Sequence, residues 1–461
     1  MATLLVKNIH TLATFDSAQR EIRHGALFVR DHVIEQVGTT AELPQTADGV
    51  LDLSDRYVVL PGLVNTHHHF FQSLTRVVPA AQNHELFQWL KSLYPLWSNI
   101  TAEIFRTGVQ MAAAELMLSG CTTASDHSYL FPNDCTLDDE IQAIQAIGLR
   151  FHANRGSMSI GESQGGLPPD HLVEAEPFIL KDSQRLIEAY HDNERYAMLR
   201  ITLAPCSPFT VSQDLMRESA AMARAYPGVR LHTHLAENIS DVNYSLERFG
   251  QIPGEYAESV GWLGEDVWHA HCVKLSDRSL NKFSETGTGV AHCPCSNMRL
   301  ASGIAPIRTM LDLQIPVGLG VDGSASNDTG HLMQEARIAM LAARVRDEAP
   351  GALTAREALA IATKGGAQVL GRDDIGSLQP QMAADFIAID LEQPALAGAA
   401  IYDPVAALLF CHINKVDYSF INGRRVIDQG RLMTLDLPKL VQSHHRAVMQ
   451  LLSASSSHQQ F

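Results

Sequence analysis

Apolar residues form short runs at both ends of the chain. Between the ends they alternate with helical segments. Over residues 1–57, Leu4-Leu5-Val6, Ala26-Leu27-Phe28-Val29 and Val33-Ile34-Glu35-Gln36-Val37 read as short strands, broken at Gly25 and Gly38. Tyr57-Val58-Val59-Leu60 is stopped by Pro61-Gly62. From there to about residue 375, helical patterns such as 107–119 and 212–226 alternate with apolar runs at 199–203, 229–232, 267–270, 289–291 and 317–320. Strand and helix alternating over roughly 300 residues predict parallel βα units and suit an α/β (β/α)8 barrel. A doubly wound open sheet is the alternative.

Strand texture returns at 376–435. Ala384-Asp385-Phe386-Ile387-Ala388-Ile389 alternates, and residues 416–421 lead into the hairpin pair Asn422-Gly423. The expected organisation is a small β-sandwich from residues 1–57 and 376–435, beside a barrel of residues 58–375. Residues 436–461 make a C-terminal helix and tail, frayed after Ser453, with His444-His445 solvated.

Length and composition narrow the classes. A chain of 461 residues, 46% hydrophobic, holds ample core for one barrel and a smaller domain. Acidic residues number 51 against 35 basic, a net charge of -16. That excludes nucleic acid and an anionic membrane as the main partner. An uncharged heterocyclic small molecule stays allowed. The first eight residues lack the pattern of a secretory signal, and no apolar stretch reaches the roughly 18 residues of a membrane span. Seven scattered cysteines do not form a disulfide framework, so a cytoplasmic location is expected.

Four places in the barrel region put His or Asp at the end of an apolar run, where parallel-barrel strands converge on one mouth. In Thr66-His67-His68-His69, an extended backbone points His67 and His69 to one side and His68 to the other. In Leu231-His232-Thr233-His234-Leu235-Ala236-Glu237, His232 and His234 share a side, so spacing alone does not choose between them. His269-Ala270-His271 carries the same ambiguity. Gly320-Val321-Asp322-Gly323 offers a lone Asp, which by itself is an ordinary turn residue. Together they make a sensible water-activating metal site. Neutral imidazoles bind zinc, an open position lowers the pKa of a bound water to about 7, and a neighbouring carboxylate takes the proton.

Three other motifs lack the context their chemistry needs. Gly318-Leu319-Gly320-Val321-Asp322-Gly323 fits a dinucleotide pattern, but Asp322 would face a pyrophosphate and no helix opens at Gly323. Gly161-Glu162-Ser163-Gln164-Gly165 fits a nucleophile elbow but sits in a loop, where it could instead shape a pocket. Cys293-Pro294-Cys295 has no second cysteine pair.

The set resembles the amidohydrolase superfamily, in its aminohydrolase branch. The matching residues are Pro61 to His69, His234-Leu235-Ala236-Glu237, Ala270-His271-Cys272-Val273, His292-Cys293-Pro294 with Ser296-Asn297, and Gly320-Val321-Asp322-Gly323. The resemblance implies one metal, zinc or iron, on His67, His69, His234 and Asp322. It implies Glu237 as catalytic glutamate and His271 as active-site histidine, with Asp322 accepting a proton from the attacking water. It also implies a homo-oligomer. Residues 66–72, Asp126-His127, and 154–159 with 165–170 resemble the group acting on oxidised, amino-bearing azines. 8-Oxoguanine, giving urate and ammonia, is the first expectation. Isocytosine, pterins, hydroxy-s-triazines and dechlorination on the same site are alternatives. Gln72, Trp97, Arg155 and Cys206 are the candidate substrate-binding residues, although Trp97 also reads as core and Arg155 as an anchor for its own loop. A non-catalytic binding protein on the same fold would be expected to lose one of these six metal and catalytic residues, and all are present.

Overall fold

The computed structural model describes residues 2–458. Strands from both chain ends pair into one nine-stranded sheet. Thr3–Ala13, Glu21–Arg30 and Val33–Thr39 run antiparallel in that order. Tyr57–Pro61 joins the two halves, parallel to Thr3–Ala13 and antiparallel to Phe386–Asp390. Phe386–Asp390 pairs with Tyr418–Ile421, and Asn422-Gly423 turns the chain into Arg424–Asp428. The sheet is continuous, yet it folds over one core. The Ile34 N–H donates to the Met382 carbonyl and the Gln381 N–H to the Ile34 carbonyl, each at 2.9 Å. Val6, Leu27, Ile34, Phe386 and Phe420 share the enclosed apolar cluster.

Eight parallel strands close the barrel. In chain order they are Leu63–Asn65, Cys121–Ser128, Arg150–Ser157, Leu199–Pro205, Arg230–Leu235, Val267–His271, Gly289–His292 and Val317–Leu319. The last five coincide with apolar runs, as parallel strands covered on both faces require. The second and third are polar in sequence, yet every residue in them is buried. Some of their polar groups meet partners distant along the chain, as Arg150 meets Asp385, while the Thr122, Thr123 and Ser157 hydroxyls are buried without a partner.

Four sequence expectations are corrected. Tyr57–Pro61 belongs to the small sheet, so the barrel opens at Leu63 and not at residue 58. Residues 376–435 are not all strand, because Ala399–Tyr402 and Pro404–Phe410 are helical. A short buried apolar run such as Leu408-Leu409 has no period that distinguishes the two. Asn154 to Ser157 end a barrel strand rather than forming a loop. The C-terminal helix Leu437–His458 continues through Ser453 and packs against Ala102–Leu118, leaving only residues 459–461 of the expected tail outside the described residues. His444 on that helix is half-buried, 3.3 Å from the Ser73 hydroxyl, while His445 is exposed. All seven cysteines are unpaired. Among the described residues, no helix is long and apolar enough to cross a membrane.

Arg150 clamps the barrel to the small sheet. Its fully buried guanidinium makes two bonds of 3.0 Å to Asp385 and reaches the carbonyls of Tyr196 (2.7 Å) and Ala197 (2.8 Å). Arg150→Met is expected to destabilise the protein by about 3–5 kcal/mol, because it leaves the Asp385 carboxylate buried without its cation. Thermal denaturation checks this, and an unchanged midpoint would contradict it.

Candidate active site

The barrel mouth gathers side chains from four strand ends. His67 and His69 follow the first strand, His234 lies on the fifth, His271 ends the sixth, and Asp322 follows the eighth. Glu237 follows two residues after the fifth strand. Ala236, His271 and Asp322 adopt left-handed backbone conformations, with φ of 53°, 72° and 61°. Non-glycine residues rarely do so, and such strain concentrates at functional sites. His68 points away, against Phe70, as the alternation requires.

Hydrogen bonds define which imidazole nitrogens carry protons. The Nδ1 of His69 lies 2.7 Å from the His127 carbonyl, and the Nδ1 of His234 lies 2.6 Å from the Cys206 carbonyl. Carbonyls only accept, so both Nδ1 atoms carry the proton and both Nε2 atoms of the neutral rings are bare. Those bare atoms face each other at 3.1 Å. The Nε2 of His67 is buried without a partner. Asp322 Oδ1 stands 3.4 Å from His67 Nε2 and 3.2 Å from His69 Nε2.

Lone pairs do not face one another at such distances without a cation between them. Bonds of about 2.0–2.1 Å in a tetrahedral zinc site put ligand atoms roughly 3.3 Å apart, which matches this spacing. The spacing therefore suits a metal ion among these groups, with ligand atoms of His67, His69 and Asp322 all within 4.8 Å of one another. Burial pushes His67 far below the usual imidazole range and His234 down to about 3, so neither ring competes by protonation. Burial raises Asp322, but the imidazoles of His67 and His69 beside it outweigh that and hold its carboxyl well below the usual carboxylate range. The Ser326 hydroxyl, at 3.2 Å, donates to Asp322 Oδ2.

Glu237 behaves in the opposite way. Burial, then the neighbouring Asp322 and Asp241 carboxyls, push it well above the usual carboxylate range. Its Oε1 has no partner, and its Oε2 lies 3.5 Å from His271 Nε2. The His271 Nδ1 bonds the Asn297 side-chain oxygen at 2.9 Å, which aims its Nε2 between Glu237 and Asp322. The result is one carboxyl held low and one pushed high on either side of an imidazole.

The adjoining cleft has about 440 Å³ of empty space including its open mouth, within the range of small-molecule sites. Trp89, Tyr94, Tyr129 and Phe209 supply flat apolar walls. Of the four substrate-binding candidates, Gln72 and Cys206 line this cleft. The Gln72 Nε2 donates to the Tyr129 hydroxyl at 3.1 Å, leaving its buried Oε1 without a partner. Gly323 makes room for it, since a Cβ there would fall 1.9 Å from Gln72 Oε1. Close packing at the metal site thus accounts for a glycine of the dinucleotide-like pattern.

Trp97 and Arg155 do not line the cleft. Trp97 is fully buried, donates to the Thr75 hydroxyl at 3.0 Å and stands edge-on behind Trp89. The indole at the cleft is Trp89, on the same helix. Arg155 bonds Glu174 at 2.8 Å and Asp182 at 2.8 Å, with its guanidinium 4.6 Å from the Phe131 ring. It anchors neighbouring segments. Residues 161–165 do not line the cleft either. Trp89, Tyr129 and Phe209 escaped the sequence reading. Only the position of Tyr129, just past Asp126-His127-Ser128, gave any signal.

Barrel, ligand cluster and paired carboxyls define a metal-dependent aminohydrolase. Residues 58–426 match the amidohydrolase family, and the chain belongs to it. It is 45% identical to an 8-oxoguanine deaminase of Pseudomonas aeruginosa over 93% of this chain and 95% of that one. It is 34% identical to a hydroxydechloroatrazine ethylaminohydrolase of Pseudomonas sp. strain ADP, over 96% and 94%. Among solved structures, an atrazine chlorohydrolase from Arthrobacter aurescens TC1 complexed with zinc superposes with a TM-score of 0.92. That protein is 32% identical, covering 96% of this chain and 100% of that one.

Proposed function

We propose that the protein hydrolytically deaminates an oxidised, amino-bearing azine, with 8-oxoguanine converted to urate and ammonia as the leading reaction. The observation that carries this is Glu237. A buried carboxyl pushed above its usual range, with a free oxygen and beside a carboxyl held below that range, suits a reaction that must deliver protons as well as accept them. The 45% identity to an 8-oxoguanine deaminase supports the choice of ring.

One zinc ion held by His67, His69, His234 and Asp322 would supply a Lewis acid that lowers the pKa of a water to about 7. Asp322 would take a proton from the attacking water as the water's oxygen adds to the amino-bearing carbon. His271 orients the attacking oxygen, its ring held by Asn297. Glu237 protonates the adjacent ring nitrogen. As the carbonyl forms, the new hydroxyl returns a proton to Glu237, and the proton on Asp322 leaves with the amine as ammonia. Gln72 Oε1 accepts from a ring N–H, and the aromatic walls cover the ring faces.

Ammonia release from 8-oxoguanine, guanine, isocytosine, pterins and hydroxy-s-triazines by zinc-loaded protein tests the proposal. Turnover of 8-oxoguanine is expected to exceed that of guanine by at least about tenfold, because a buried polar group left unpaired by the missing oxygen is costly. Faster turnover of another ring would move the specificity and keep the reaction. No ammonia from any of them would overturn the deaminase reading. Chloride release from a chloro-s-triazine, or carboxylate release from an amide, would then identify a different bond.

A further inference from the structure

Two of the three metal-facing imidazoles rest their rear nitrogens on main-chain carbonyls. The third, His67, rests on a side chain: its Nδ1 lies 2.7 Å from the Nε2 of His232. We propose that His232 is a positioning residue for the metal ligand His67, fixing the imidazole tautomer that presents a bare Nε2 to the ion.

The direction of the hydrogen bonds follows from their far end. His232 Nδ1 lies 3.0 Å from the Trp268 carbonyl, which can only accept. The proton of neutral His232 therefore sits on Nδ1, and its bare Nε2 accepts from His67 Nδ1–H. His67 then has its proton at the rear and its lone pair at the front. The reverse arrangement sets a bare nitrogen against a carbonyl and places the His67 proton inside the ligand cluster. A doubly protonated His232 does the same to His67.

The surroundings lock this state. The His232 ring stacks on Trp268 with centroids 4.4 Å apart and planes 14° apart. The Trp268 indole N–H donates to the Thr66 carbonyl at 3.1 Å. The circuit thus leaves His67, crosses the fifth and sixth barrel strands and returns to the residue preceding His67. His232 is completely buried and does not line the substrate cleft. Both its nitrogens are engaged, so it has no lone pair left for an ion, although it lies within reach of His67 and His127 as a potential ligand group. The second histidine of the fifth strand's His-Thr-His thus holds the metal, and the first sets the proton on another ligand.

The proposal rests on His67 as a ligand and not on the identity of the ring. Zinc affinity by chelator competition, alongside thermal midpoints of the metal-free proteins, tests it. His232→Phe and His232→Asn are expected to weaken zinc binding by about 10–100-fold, the range for losing such a supporting bond. His232→Gln carries an amide at the reach of the His232 Nε2, which the shorter Asn does not attain, and is expected to bind within a few-fold of wild type. If His232→Phe fails to fold, the Asn and Gln variants carry the comparison. Wild-type affinity in His232→Asn, or equal losses in Asn and Gln variants with matched midpoints, would overturn the proposal. His67→Ala serves as control, and undiminished affinity there would remove the ligand assignment itself. In zinc-loaded wild type, nitrogen–proton correlation spectra of labelled histidine should show His232 protonated on Nδ1, and an Nε2–H tautomer would contradict it.

Discussion

Glu237→Gln is expected to lower turnover by roughly 10²–10⁴-fold, the contribution of a positioned general acid–base group, while leaving metal content unchanged. Gln fills the same volume and can still bond His271, so the site should keep its shape. It cannot release and regain a proton, which Glu237 must do once at a ring nitrogen and once from the new hydroxyl. Glu237 is also absent from the groups close enough to share an ion, so its loss removes no ligand. Its backbone N–H donates to Asp241 at 3.0 Å, an anchor that the substitution does not touch. Ammonia release and elemental analysis on the same preparation check both halves. Near-wild-type turnover would remove Glu237 from the proton-transfer role, and lost metal would make it a structural support.

Asp322→Ala should abolish measurable turnover by a different route. Asp322 supplies the only carboxylate of the ligand cluster, and it stands within 3.4 Å of the bare nitrogens of His67 and His69. Losing it weakens metal binding and also removes the acceptor for the water's proton. Three neutral imidazoles would remain, without the negative charge that offsets the cation. Adding zinc should restore stripped wild-type protein and fail to restore Asp322→Ala. The contrast with Glu237→Gln is the decisive feature: one variant keeps the metal and loses the proton, the other loses both. An Asp322→Ala protein with full metal content and turnover would refute the assigned site. The variant should still fold, because the barrel core of Leu203, Leu231, Val267 and Val290 does not depend on the ion.

The five late barrel strands were visible because buried parallel strands must be apolar, and runs such as residues 199–203 say so directly. Cys121–Ser128 and Arg150–Ser157 were not visible as strands. Several of their polar residues are buried against partners far away, as Arg150 is against Asp385 and His127 is against the Ala204 carbonyl. A local pattern carries no information about such a partner. The aromatic cleft shows the same limit. Trp89 and Trp97 lie on one helix, Leu86–Trp97, and only the packing of that helix against the barrel mouth decides which indole meets the cleft. The partners of Arg155 were not legible in the sequence, because Glu174 and Asp182 reach it from beyond its own strand.

By itself the sequence determined the donor types and their placement at strand ends, since strand periodicity pairs His67 with His69 and His232 with His234 on common sides. Periodicity left their division of labour open, the family resemblance pointed to His234, and only the tertiary structure supplies the physical reason. Alternation gives a direction from the strand but no depth along the barrel axis. Closure of eight strands sets the depth, placing His234 among the bare nitrogens and His232 one layer behind them against His67.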